Sequence, residues 1–262
     1  MYLELPTRSS SPLLVCRWTQ TATSAGDARI LPDACIDVIW NGASLFVAGP
    51  DTHAVAHAVV AGARYAAVRF APGMAPSVLG VPASAIRDAR VDLVDLWGDA
   101  ARRLRDRLSA ARGVRAATCL LEEAITETPR TQAVDPLVRR VVARLSADPS
   151  WPAARLAAEL GVGERQLLRR CDAAFGYGPK LLARILRFQR ALAALRAQPR
   201  GELAALATAH GYADQAHLAH DVRLLAGVAP SVLRGEIAMS DLDKRLRPMR
   251  DQTESHDHSY QR

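Results

Sequence analysis

Two stretches of the chain, fifty residues apart, place their apolar residues at the same helical spacing. In the first, Leu156 and Leu160 lie four apart, and Ala157 between them is small enough for a second helix to cross closely. The chain turns at Gly161-Val162-Gly163, and Leu167, Cys171 and Ala174 then recur at i, i+4 and i+7, the inward stripe of a second helix. Leu156-Ala157-Ala158-Glu159-Leu160-Gly161-Val162 returns as Leu206-Ala207-Thr208-Ala209-His210-Gly211-Tyr212, followed by the stripe Leu218, Val222, Leu225. Gly176-Tyr177-Gly178-Pro179 returns as Gly227-Val228-Ala229-Pro230, now 51 residues on. The one-residue slip falls between the two helices of each copy. A repeat that tolerates an insertion only in its turn is a duplicated helix–turn–helix, a motif that usually binds DNA.

The first half alternates instead. Cys35-Ile36-Asp37-Val38-Ile39-Trp40 reads as a strand, Asn41-Gly42 is a strong hairpin signal, and Leu45-Phe46-Val47-Ala48 answers before Gly49-Pro50. Strand-like runs follow from Ala54 to Val60 and from Tyr65 to Phe70, so a small antiparallel sheet or barrel is expected. After Trp97-Gly98 the pattern becomes helical, with Leu104 and Leu108 spaced by four and a further helix from Val114 to Thr128. The predicted class is α+β: a β-rich domain over residues 1–128 that ends in helices, a linker at 129–135, an all-α domain with two tandem units at 136–236, and a polar, disordered tail at 237–262.

The faces opposite the inward stripes carry the candidate chemistry. On the first unit's second helix these are Arg165, Leu168, Arg169 and Asp172, with Gln166 beside them; on the second unit's, Ala216, Ala219, His220 and Arg223, flanked by Gln215 and His217. Arg and Gln there match the groups that read guanine and adenine edges in a major groove. Asp214 is a stronger N-cap than its counterpart Gly163. Exposed arginine alone is weak testimony, because only Lys180 and Lys244 among the basic residues are lysine. The tandem arrangement, in phase and sharing a Gly-x-x-Pro ending, is what makes the reading specific.

Charge supports it. Of the net charge of +7, residues 134–236 carry +6, from 15 basic and 9 acidic residues, while residues 1–133 carry +1. The excess is lopsided within the repeat: residues 161–190 hold seven basic and two acidic residues, residues 201–235 two and three. The first unit is therefore expected to supply most of the attraction to phosphate.

The stretch from Pro136 to Arg234 resembles the DNA-binding domain of AraC/XylS-type transcription regulators. The resemblance rests on Leu156-Ala157 with Gly161, Arg165-Gln166-Leu167 with Arg169-Arg170, Gly176 and Pro179, and Arg187-Phe188 with Ala191. In the second unit it rests on Ala207, Gly211-Tyr212, Asp214-Gln215, His217-Leu218, Gly227, Pro230 and Leu233-Arg234. It implies that Arg165, Gln166, Leu168, Arg169, Gln215, Ala216, His217 and His220 face double-stranded DNA across two successive major grooves per chain. A connecting helix over Lys180–Ala197, about 27 Å long at 1.5 Å per residue, would set their separation. Three departures stand out: His210 where the first copy has Leu160, His220 where relatives often carry Arg, and Cys171 where a large aromatic is usual. The segments Leu31–Pro50, Val68–Gly73 and Leu79–Pro82 resemble the β-rich N-terminal domain of one branch of these regulators. The partners implied are DNA, a small-molecule effector, a second copy of the chain and RNA polymerase, in the cytoplasm of a bacterial-type cell.

Other chemistry is thin. His53 and His57 stand four apart, as a cupin-type metal enzyme would need, but no Glu is near. A DNA-repair alkyl acceptor fused to the same domain would need Pro-Cys-His-Arg or a four-cysteine zinc cluster, and Cys16, Cys35 and Cys119 sit in neither. His217 and His220 lack a completing ligand, and His256 and His258 fall in the polar tail. No catalytic residue, cofactor or metal is expected. The four scattered cysteines suggest reduced thiols, and no run approaches the ~18 apolar residues of a membrane helix.

Overall fold

The computed structural model describes residues 1–129 and 133–245, the side chains of the last helix only as far as Ile237. Among the described residues eight strands form the head: β1 (Tyr2–Leu5), β2 (Leu14–Thr21), β3 (Gly26–Ile30), β4 (Asp37–Trp40), β5 (Leu45–Ala48), β6 (Val55–Val59), β7 (Arg64–Phe70) and β8 (Arg90–Asp92). Six make an antiparallel sheet in the order β1-β2-β7-β4-β5-β8, and β3 pairs with β6 as a separate ribbon. The expected hairpin is present, Trp40 facing Leu45 across a turn in which the Asn41 side chain accepts from the N–H of Ala43 and Ser44. The runs at β6 and β7 do not pair with each other; β7 instead enters the centre of the larger sheet.

Short helices α1 (Pro76–Leu79) and α2 (Leu93–Trp97) lead into α3 (Asp99–Ser109) and α4 (Val114–Glu127), with a 3₁₀ turn at Ala83–Ile86. Leu104 and Leu108 of α3, and Leu121 and Ile125 of α4, join Val38, Val68 and Phe70 in the core. Arg17, on β2, meets Glu122 of α4 at 3.0 Å; both are buried, and Glu122 also accepts from the backbone of Arg8 and Ser9. The other face of the sheet, around Cys16, Trp18 and Ala67, lies toward the β3–β6 ribbon, where His57 of β6 is bonded to the Tyr65 hydroxyl of β7.

The second half is helical: α5 (Pro136–Ala147), α6 (Ala153–Glu159), α7 (Glu164–Phe175), α8 (Pro179–Ala197), α9 (Leu203–Ala209), α10 (Gln215–Ala226) and α11 (Pro230–Arg245). Helix α5 is capped by Asp135, which accepts from Leu137 N–H at 2.9 Å. Helix α11 corrects the expected tail. The helix continues past residue 236 because Leu233 and Ile237, four apart, extend the apolar stripe into the core, at 3% and 8% exposure. Residues 246–262, with His256 and His258, lie outside the described residues.

Head and helical half share one continuous core. Phe175 and Val138 close over Gly73, where an added Cβ would stand 2.3 Å from Val138 Cγ1 and 2.8 Å from Phe175. Gly176 takes a left-handed φ of 84° to end α7 and lies under Pro50, whose Cγ would be 2.6 Å from a Cβ there. Its repeat partner Gly227 ends α10 at φ 70°, with the nearest atom, Arg29 Nη1, 3.8 Å from such a Cβ.

This difference gives a prediction. Gly227→Ala should cost about 1–2 kcal/mol, the price of a left-handed residue with a side chain. Gly176→Ala should cost about 2 kcal/mol more, because overpacking against the Pro50 ring is added. Urea unfolding of both variants measures it, and equal losses would mean that the head does not press on Gly176.

Candidate nucleic-acid interface

The two units match in detail. Helices α6 and α9 have seven residues each, α7 and α10 twelve each, and four residues separate the helices in the first unit against five in the second. Gly161 and Gly211 turn the chain at φ 70° and 78°, and Val162 N–H donates to Ala157 just as Tyr212 N–H donates to Ala207, both at 3.0 Å. The inserted residue is absorbed before α10, where Asp214 caps the helix by accepting from His217 N–H at 2.7 Å. Gly163, before α7, makes no side-chain cap.

The inward stripes are buried: Leu167, Cys171 and Ala174 in α7, and Leu218, Val222 and Leu225 in α10. Arg165, Gln166, Leu168 and Arg169 are exposed on α7, and Gln215, Ala216 and His220 on α10. Leu168 is 53% exposed, an apolar side chain left in solvent amid polar neighbours. Among the described residues Arg165 and Arg169 form no ion pair, whereas the adjacent Arg170 reaches back to Asp135 at 3.1 Å. His217 is placed differently from the other candidates. It is half-buried, its Nδ1 accepts from Ala213 N–H at 3.3 Å, and its ring meets Tyr212 edge-on.

Helix α8 holds the units together. At 19 residues it spans about 28 Å, one residue longer than the expected connector. From it Arg187 Nη2 donates to Asp221 Oδ2 at 2.8 Å, and Arg184 Nε lies 3.2 Å from Asp221 Oδ1. Asp221 belongs to α10 and its side chain is 1% exposed. The Arg187 guanidinium also stacks on the Tyr212 ring at 4.6 Å, so one side chain ties the connector to both the turn and α10. Arg187 belongs to the sequence motif of the domain, whereas Asp221 lies outside it. The sequence signal for Asp221 is an acidic residue beside Val222 and three beyond Leu218, with two arginines three apart on the connector.

The other candidate chemistry does not assemble. His53 is exposed near Thr52 and Asp88, and His57 is occupied with Tyr65. Among the described residues no group of three or more His, Cys, Asp or Glu is placed to hold a metal ion. Burial pushes the Cys16 thiol up to about 11 and the Cys171 thiol up to about 12, and drives Cys35 well above the ordinary value. An alkyl acceptor needs the thiolate, which these three sites disfavour. No helix among the described residues is long and apolar enough to cross a membrane.

Two family models match parts of the chain. Residues 156–236 match the family described as "Helix-turn-helix domain", and residues 5–92 match "Domain of unknown function (DUF6597)". No curated protein matches the chain. Among solved structures the chain is similar to ToxT from Vibrio cholerae O395, at 9% identity and TM-score 0.47, over 84% of this chain and 97% of that one. It is also similar to the 1.65 Å structure of Vibrio cholerae ToxT (11%, 0.44, over 84% and 96%). For the unsaturated-fatty-acid-bound wild-type ToxT of strain SCE256 the values are 12%, 0.45, and 87% and 97%.

Removing the Asp221 carboxylate tests the clamp. Asp221→Ala leaves Arg187, itself only 14% exposed, without its counter-charge and should cost about 3 kcal/mol in urea unfolding. A loss below about 1 kcal/mol, the level of an exposed pair, would show that the clamp does not hold α10.

Proposed function

We propose that this chain is a DNA-binding regulator of the AraC type that reads a specific sequence through both units of one chain, a reading supported by the match of residues 156–236 to the helix-turn-helix family. The observation that carries the reading is the pair of open faces, Arg165, Gln166, Leu168 and Arg169 on α7 and Gln215, Ala216 and His220 on α10, on helices joined through the single connector α8. The guanidiniums of Arg165 and Arg169 suit guanine O6 and N7, the amides of Gln166 and Gln215 suit adenine, and Leu168 and Ala216 suit a thymine methyl. One chain then covers two adjacent major grooves on one side of the duplex, an asymmetric site of about 15–20 base pairs.

The units contribute unequally. Among the described residues the first has two exposed arginines without an ion pair, Arg165 and Arg169, against one exposed arginine on α10, Arg223; the second otherwise offers neutral groups and makes its polar contacts internally, through His217 and Asp221. The first unit is thus the anchor and the second a reader of lower affinity.

Effector control, the remaining part of the proposal, is supported by a cleft of about 660 Å³ between the β3–β6 ribbon and α11, lined by Tyr2, Arg29, Leu31, Arg196, Leu233 and Ile237. A small molecule in that cleft would touch both halves of the chain at once.

Selection of a duplex from a random-sequence library, followed by gel-shift titration, tests the reading. Arg169→Ala should weaken binding by about 1–3 kcal/mol and relax preference at one base position or lower affinity throughout. His220→Ala should cost less. A larger loss for His220→Ala would overturn the assignment of the first unit as anchor.

A further inference from the structure

The head touches the two reading helices at corresponding places. Arg87, which follows the 3₁₀ turn, donates from Nη1 to the Gly176 carbonyl at 2.8 Å, where α7 ends, and lies 3.5 Å from Asp172. Arg29, on β3, donates from Nη1 to the Ala226 carbonyl at 3.0 Å, where α10 ends. Aligned through the repeat, the two carbonyls are one residue apart. The last carbonyls of a helix have no partner within it and form the negative end of its dipole, so an arginine there is favourable. Such caps usually come from the helix itself. Here they come from residues 89 and 197 positions away in the chain.

Each contact has a second hold. Arg29 also forms a two-pronged pair with Glu236 of α11, both bonds at 3.1 Å. Gly176 is fixed under Pro50. Between these points Gln189 of the connector donates to the Pro32 carbonyl of the head at 2.6 Å. All three contacts leave Arg165, Gln166, Leu168, Arg169, Gln215, Ala216 and His220 exposed, so the head grips the reading helices without covering what they read.

We infer that Arg29 and Arg87 are positioning residues for DNA recognition: the head braces the C-terminal ends of both reading helices and thereby sets their relative rotation and spacing. This rests on the two-groove reading above. Connector α8 fixes the units at its own ends, but each reading helix can still tilt about its contact with α8. A brace at the far ends removes that freedom. Discrimination between operators of different internal spacing therefore belongs to the whole chain and not to the helical half alone.

The test uses the full chain and the duplex it selects, together with versions carrying one base pair more or less between the two contacted segments, each rotating one segment by about 35° relative to the other. The wild-type chain should bind the altered duplexes about tenfold more weakly, within the usual range of coupling between two sites. In Arg29→Ala/Arg87→Ala binding to the selected duplex should fall while the penalty for altered spacing shrinks to about threefold or less, and the double Arg→Lys variant should recover part of it. Arg29→Ala alone should lose hydroxyl-radical protection only at the second unit's segment, a local result that an unfolded protein, which protects neither segment, cannot produce. An unchanged spacing penalty in the double variant overturns the brace. A wild-type chain indifferent to spacing overturns the two-groove reading itself.

Discussion

The carboxylate of Asp221 lies almost fully buried between α10 and α8, and a charge in that position requires opposite charge at close range. Arg187 and Arg184 supply it, and Arg187 is held in turn by the face of Tyr212. Such a cluster adds little net stability compared with an apolar core of the same volume, but it is intolerant of misplacement. Leucine and valine accept several packings of one helix on another, whereas a carboxylate between two guanidiniums accepts few. The attachment of the second reading helix to the connector depends on this contact, and Arg29 of the head holds the same helix at its far end.

The need for it follows from how the second unit packs. Leu156 and Leu160 bury fully beneath the first unit, while Leu206 and His210 at the same places remain partly exposed, and a small apolar void lies among Phe188, Leu192, Leu206 and Val222. Less apolar area is removed from water there, so shape alone specifies the second reading helix less well than the first. Polar contacts make up the difference: the Asp214 cap, the Asp221 cluster and Arg29 at the helix end. The first unit has the reverse balance, with Phe175 and Tyr177 buried against the head and its outer arginines left unpaired.

The helical half was legible because its period is short and its punctuation strong. Gly161 and Gly211 turn the chain between the helices of each unit as the repeat implies, Gly176 and Gly227 are left-handed as well, and the stripes fall on the buried side. The head was half legible. The Asn41 hairpin announced itself, but β2 did not, because a bulge between Leu14 and Cys16 breaks the alternation and buries Arg17 and Thr19 in place of apolar residues. Arg17 is tolerated there only because Glu122 arrives from α4, a pairing across about a hundred residues that no local pattern reveals. The same holds for the brace: Arg29 and Arg87 look like ordinary solvated arginines until the chain is folded. His217 shows the opposite case, a polar residue flanking the outward face that is half-buried and accepts from Ala213 N–H at its own helix start.

The central claim is that one chain presents two reading helices to two successive major grooves. Hydroxyl-radical footprinting of the wild-type chain on its selected duplex, at a measured ratio of one chain per duplex, tests it most directly. The account predicts two protected clusters on the same face, about one helical turn of 10 base pairs apart, with the stronger protection under the first unit. A single protected cluster at that ratio, or protection that appears only with two chains bound, would contradict it.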